Sequence, residues 1–130
     1  MTEEEQLIRA AFDAWNEGGP EAFAKLLPPD IEWHAPPQFP DGGVWHDRES
    51  LKDELHEQFG SVFTPGQVEL LEATQGPDGW LIAARQSAAH GDSVIEWLSF
   101  MVLQFEDGVA KRVWVFLDRE PARQLAGLDE

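Results

Sequence analysis

The stretch 93–118, SVIEWLSFMVLQFEDGVAKRVWVFLD, holds two apolar runs on either side of a Glu-Asp-Gly turn. Alternation along the first run puts Ile95, Trp97, Ser99, Met101, Leu103 and Phe105 on one side. Val94, Glu96, Leu98, Phe100, Val102 and Gln104 fall on the other. The second run repeats the pattern, with Val113, Val115 and Leu117 opposed to Trp114 and Phe116. A period of two around a short turn predicts a β-hairpin. An antiparallel strand with one wet face alternates apolar with polar, but here both sides are mainly apolar, so both must be covered. Helices can cover one. For the side bearing Phe100, Val102, Trp114 and Phe116, a second copy of the chain is the natural cover, and a C-terminal tail folding back is the alternative.

Upstream, 67–79 (QVELLEATQGPDG) and 80–92 (WLIAARQSAAHGD) read as two more strands joined by a Gly-Pro-Asp-Gly turn. Before Pro65-Gly66 the period is helical. In 2–19 (TEEEQLIRAAFDAWNEGG), Thr2 and Glu5 have the spacing of a capping box. Leu7, Ile8, Ala11, Phe12 and Trp15 form one apolar stripe, and Gly18-Gly19 stops the helix. A short second helix runs from Pro20 to Pro28-Pro29, and a third lies in 47–60, with Leu51, Leu55 and Phe59 on one face. Residues 119–128 read as a closing helix or tail. Helices first and an antiparallel sheet afterwards give an α+β fold in a single domain, 1–130, with the helices gathered on one sheet face.

Between helices two and three lies 30–51, DIEWHAPPQFPDGGVWHDRESL. Ile31 to His34 is a strand, and prolines stiffen the loop that follows. This segment is expected to form a pocket wall and its lid. In the strand only one of Trp33 and His34 points inward, and the local pattern leaves open which.

The 130 residues carry 25 acidic against 9 basic side chains, a net charge of −16. A surface this anionic repels phosphate backbones and acidic membranes, so neither nucleic acid nor membrane is an expected partner. There is no cysteine, which rules out disulfides, thiolate nucleophiles and cysteine-bound zinc. The N-terminal MTEEEQLIRA is acidic without an apolar core, and no apolar run is long enough to span a bilayer, so the expected location is cytoplasmic. No close ligand pair such as His-x-His occurs, so no metal and no cofactor is expected. Six tryptophans with no tyrosine suit a lining that needs bulk without hydroxyls.

The run FDAWNEGGPEAFAKLLPPDIEWHAP, the entry WHDRESLKDEL into the third helix and the final FEDGVAKRVWVFLDRE occur in an order that resembles the nuclear transport factor 2-like superfamily, in particular its SnoaL-like and ketosteroid-isomerase-like branch. The resemblance covers nearly the whole chain. It implies a cone-shaped, curved antiparallel or mixed sheet, cystatin-like, with the N-terminal helices on its concave face closing a deep apolar pocket. It also implies pairing through the convex sheet face, here with Phe100, Val102, Trp114 and Phe116 at the interface. It implies pocket positions as well. The general base of ketosteroid isomerases matches Ala35, and their oxyanion tyrosine matches Ala11 or Phe12. Their protonated aspartate falls near Met101, and the last member of the epoxide hydrolases' Asp-Arg-Asp relay falls near Val115.

On that cone the expected lining is Phe12 and Trp15 from the first helix, and Trp33 and Trp45 from the 30–51 segment. Trp97, Ser99, Met101, Val113 and Val115 complete it from the long strands. His34 is the expected acid/base group, one residue from the matched base and carrying an imidazole, the side chain most suited to proton transfer. His46 and Asp118 are possible polar accessories. The expected function is a small-molecule pocket protein, acting as an isomerase or cyclase on an apolar carbonyl compound by proton transfer. The alternative is a non-catalytic small-ligand-binding or dimerisation module that lacks the family's catalytic residues. The expected partners are a small apolar molecule and a second copy of the chain.

Overall fold

The computed structural model describes residues 2–35, 43–60, 68–90 and 92–128, with the backbone alone for 20, 55–60 and 88–90. The stretch 36–42, expected as the lid, lies outside the described residues. Among the described residues, three helices, α1 (Glu3–Ala24), α2 (Arg48–Gly60) and α3 (Arg119–Ala126), accompany six strands. The strands are β1 (Glu32–His34), β2 (Val44–Trp45), β3 (Val68–Gly76), β4 (Gly79–His90), β5 (Ser93–Glu106) and β6 (Val109–Phe116). They form one curved sheet in the order β2-β1-β6-β5-β4-β3. All neighbouring pairs are antiparallel except β1 with β6, so the fold is α+β with a mixed sheet.

The first two expected helices are one element with a break. Thr2 caps its start, its hydroxyl accepting from the Glu5 N–H at 3.1 Å. Gly19, at φ 69° and ψ −156°, interrupts the helical backbone, and Pro20 restarts it with a φ already suited to a first turn. The kink turns Phe23 back toward the sheet, where it meets Trp15 and Trp33 edge to face.

The pairing register fixes the two faces. Trp33 lies opposite Val113, which lies opposite Leu103, all on the face toward α1. His34 lies opposite Trp114, which lies opposite Val102, on the other face. The inner face packs Trp80 and Ile82 against Ile8 of α1, with Phe12 alongside. On the outer face, the residues expected to meet a second copy are covered in part from within the chain. Phe100 and Val102 pack with Leu81 and Ala83 under Ala122 and Ala126 of α3, and Trp114 and Phe116 flank the same cluster. Val102 is fully buried within the single chain, and the Arg119 guanidinium lies 5.2 Å from the centre of the Phe100 ring. The tail folds back because alanines four residues apart give it a smooth side that fits closely on the sheet.

The end of α3 is locked to the β3–β4 turn. The Asp78 N–H donates to the Ala126 carbonyl at 3.0 Å, and a Cβ on Gly76 would stand 2.3 Å from that same oxygen. Gly127 closes the helix in the left-handed conformation at φ 80°. What α3 leaves uncovered is the far end of the outer face, where Leu98 is 48% exposed beside the Arg85–Glu69 ion pair. No helix among the described residues is long and apolar enough to cross a membrane.

Candidate ligand cavity

On the inner face, between α1, α2 and the sheet, lies an apolar cavity of about 110 Å³ that opens to the surface. Helix α1 is pinned over the sheet at two points. Near its start, Trp80 Nε1 donates to Glu4 at 2.8 Å. Further along, the Asn16 side-chain amide bonds both backbone groups of Val68, accepting at 2.8 Å and donating at 2.9 Å. Helix α2 is tied to the loop after α1 by the Arg48 N–H on the Pro29 carbonyl at 3.0 Å, and by its guanidinium on the Leu27 carbonyl at 3.1 Å. Asp47 caps α2, accepting from the Ser50 N–H at 2.7 Å and from its hydroxyl at 3.0 Å, bonds that hold the Asp47 carboxyl below its usual range.

Helix α1 contributes Ala11, Phe12 and Trp15 to the wall, and Phe23 beyond the kink. Strands β1 and β2 contribute Trp33, Ala35 and Trp45, the two tryptophans facing each other across the antiparallel pair. Helix α2 adds Leu51 and Glu54, and the edge strand β3 adds Val68. From the central strands come Gln86, Trp97, Ser99 and Met101, with Val115 from β6 and Leu117 just beyond its end. Four of the six tryptophans therefore converge on one space.

The groups in this wall that are polar throughout are Glu54, Gln86 and Ser99. Ser99 is 2% exposed, and its Oγ has no hydrogen-bond partner among the described residues. An unpartnered buried hydroxyl costs about 1–3 kcal/mol. Ser99 pairs with Ala84 and Gln86 with Trp97, so Ser99 and Gln86 are diagonal neighbours on the same side of β5 and β4.

The positions that the resemblance matched to catalytic groups come together here. Ala11, Phe12, Ala35, Met101 and Val115 all line this cavity, and none carries a group that moves a proton or binds an anion.

His34 is placed elsewhere, which corrects its expected role. Trp33 takes the inner side, 9% exposed, and strict alternation sends His34 out. There its ring stacks on Trp114, centroids 5.0 Å apart and planes 13° apart. Its Nε2 shares a 2.7 Å hydrogen bond with Glu32 Oε2. That bond is the main cause holding the Glu32 carboxyl below its usual range, with charge contributions from His34 and Arg112 behind it.

His46 is exposed between β2 and α2 and does not line the cavity. Asp118 is exposed at the N-cap position of α3, makes no side-chain capping bond and is likewise outside the cavity. Val113 faces inward but is buried below the cavity, among Leu27, Ile31, Trp33 and Leu51. Phe23, Leu51, Glu54, Val68, Gln86 and Leu117 line the cavity without having been expected there. Glu54 had a usable signal, since it follows Leu51 by three and shares its helix face. Gln86 had none until its pairing with Trp97 was known. Among the described residues no three of His, Asp and Glu approach closely enough to hold a metal ion.

No curated protein sequence matches the chain. Its fold is that of many solved structures. A nuclear transport factor 2-like protein of Burkholderia pseudomallei K96243 aligns over 97% of this chain and 98% of its own, at 15% identity and a TM-score of 0.76. TerC, co-crystallised with polyporic acid, aligns over 96% and 98% at 15% identity and a TM-score of 0.75. An epoxide hydrolase of M. tuberculosis aligns over 92% and 88% at 13% identity and a TM-score of 0.69. At these identities the likeness is one of fold. The model of the SnoaL-like domain matches residues 8–113, most of the chain, and the chain belongs to that family within the nuclear transport factor 2-like superfamily.

Proposed function

We propose that this chain binds one small, largely apolar molecule in the cavity between α1, α2 and the inner sheet face. The observation that carries this reading is the convergence of Trp15, Trp33, Trp45 and Trp97 on a single space with few polar groups around it. Aromatic side chains bury large areas with few rotatable bonds, so such a wall holds a flat, greasy ligand at low entropic cost. TerC, a protein of similar fold, was co-crystallised with polyporic acid, which supports a small-molecule role. The acidic surface and Glu54 disfavour an anionic ligand. Tetralin is a suitable probe. It should quench or shift tryptophan fluorescence saturably, His34→Ala should leave the effect unchanged, and Ala11→Phe should abolish it by filling the space. A wild-type protein with no saturable response, or an Ala11→Phe protein that binds as well as wild type, would overturn the reading.

A second reading, proton transfer next to a carbonyl as in an isomerase or cyclase, is favoured by one observation. Glu54 brings a carboxyl group into the apolar wall, where His34 brings nothing. A carboxylate held against the α-hydrogen of a bound ketone is a competent general base. Deuterium exchange at the α-carbon of 1-tetralone, followed by NMR in D₂O, should be accelerated by the wild type and not by Glu54→Gln. Equal exchange in both proteins would leave the cavity as a binding site alone.

Self-association also remains a proposal, now for the part of the outer face that α3 leaves open. Val94 and Leu98 are its exposed apolar residues. Sedimentation of the wild type and of Leu98→Glu tests it: a dimer that Leu98→Glu dissociates supports it, and a monomer at all concentrations rejects it.

A further inference from the structure

We infer that Ser99, with Gln86 beside it, is the polar anchor of the cavity and selects a ligand that carries a hydrogen-bonding oxygen, a ring ketone or hydroxyl, on an otherwise apolar frame. The inference rests on the binding role proposed above and adds to it the residues that determine specificity. It starts from an imbalance in one strand. Along the inner side of β5, Trp97, Met101 and Leu103 surround Ser99, and a small apolar residue would satisfy the packing there. Instead the position holds a hydroxyl that is 2% exposed and has no hydrogen-bond partner among the described residues. Buried polar groups are nearly always partnered, so an orphan in the wall of a cavity points to a partner that enters the cavity.

The surroundings narrow the chemistry of that partner. Ser99 offers one donor and two acceptor sites, and rotation about χ1 reorients them at small cost. Gln86, diagonal to it on the neighbouring strand, offers two amide donors and one carbonyl acceptor. A ketone oxygen can take a hydrogen bond from each residue, and a hydroxyl can donate to one and accept from the other. The rest of the near wall is aromatic or aliphatic, which suits a hydrocarbon frame and leaves a second polar group without a partner. A carboxylate or phosphate would meet the anionic Glu54 and a molecule of charge −16. Neutral oxygen is the group that fits. The anchor stands at positions other than those where the family's catalytic groups would fall, all of which are apolar here.

Two probes separate the anchor from the cavity. Tetralin and 1-tetralone share a frame and differ by one carbonyl oxygen, so the ratio of their dissociation constants isolates the contribution of that oxygen. If the carbonyl were buried unpaired, 1-tetralone would bind more weakly than tetralin; paired at Ser99, it binds at least as tightly. Ser99→Ala should weaken 1-tetralone by about 3- to 10-fold, the worth of one hydrogen bond, and leave tetralin within twofold of wild type. Gln86→Leu, at a half-buried position that tolerates exchange, should weaken 1-tetralone selectively by about threefold. The thermal midpoint of each variant is read alongside, and for Ser99→Ala it should be at or above that of wild type. A tetralone-to-tetralin ratio that neither variant changes would overturn the anchor while leaving the binding role intact. Failure of wild type to bind either probe would remove both.

Discussion

The two faces of this sheet are made from the same strands and end differently. On the outer face, Phe100 and Val102 of β5 are closed over by α3, whose contacting residues Ala122 and Ala126 are fully buried and leave no gap. On the inner face, Trp97, Ser99 and Met101 of the same strand belong to the wall of a cavity, under an α1 that Asn16 and Glu4 tie to the sheet and beside side chains too large to collapse onto one another. Close cover by small side chains yields stability. Distant cover by large ones yields a cavity and leaves a polar atom of Ser99 without a partner. Packing alone would favour sealing both faces, so the open one is where a ligand-binding role is to be sought.

Equal insults to the two faces should therefore have unequal effects. Ala122→Phe forces a ring into a filled contact and should lower stability by about 1–3 kcal/mol or more, whereas Ala11→Phe places the same ring in open space and should cost less than about 1 kcal/mol. Urea denaturation of the two variants checks the difference; equal losses would mean that the inner face is as tightly packed as the outer. Ser99→Ala sharpens the contrast with the opposite sign. Removing an unpartnered buried hydroxyl should raise stability by about 1 kcal/mol, where truncation of a bonded serine would lower it.

The smallest effect is expected at His34. The Glu32 carboxyl is depressed below its ordinary value of 4.5 by its bond to His34, so it contributes stability above that pH and loses it as the pH falls through the lowered value. His34→Ala should thus cost less than about 1 kcal/mol near neutrality, given the partial exposure of both groups. The gap from wild type should narrow below pH 4.5, as followed by denaturation at a series of pH values.

The long hairpin was legible because fourteen residues of β5 give alternation room to show itself. The two-sided apolar pattern correctly demanded two covers. At Phe100 and Val102 the cover is α3, the alternative to a second copy, and it is hard to read because α3 meets the sheet through alanines, and alanine gives little of the apolar stripe that marks a packed helix. The choice between Trp33 and His34 was beyond local pattern. A three-residue strand has its register set by its partner, and that partner is β6, some eighty residues away in the chain. Strand β2, with two residues, carries no period at all. Ser99 was named as a lining residue from alternation, but its missing partner is a property of the folded neighbourhood and has no trace in sequence.

The six indole N–H resonances offer the most direct test, since four tryptophans line the cavity and two do not. On titration of the wild type with 1-tetralone, the signals of Trp15, Trp33, Trp45 and Trp97 should move together and saturate. Those of Trp80, bonded to Glu4, and Trp114, stacked on His34 on the outer face, should stay. Saturable movement of Trp114 with the four cavity signals unchanged would contradict the assignment and put the ligand on the other side of the sheet.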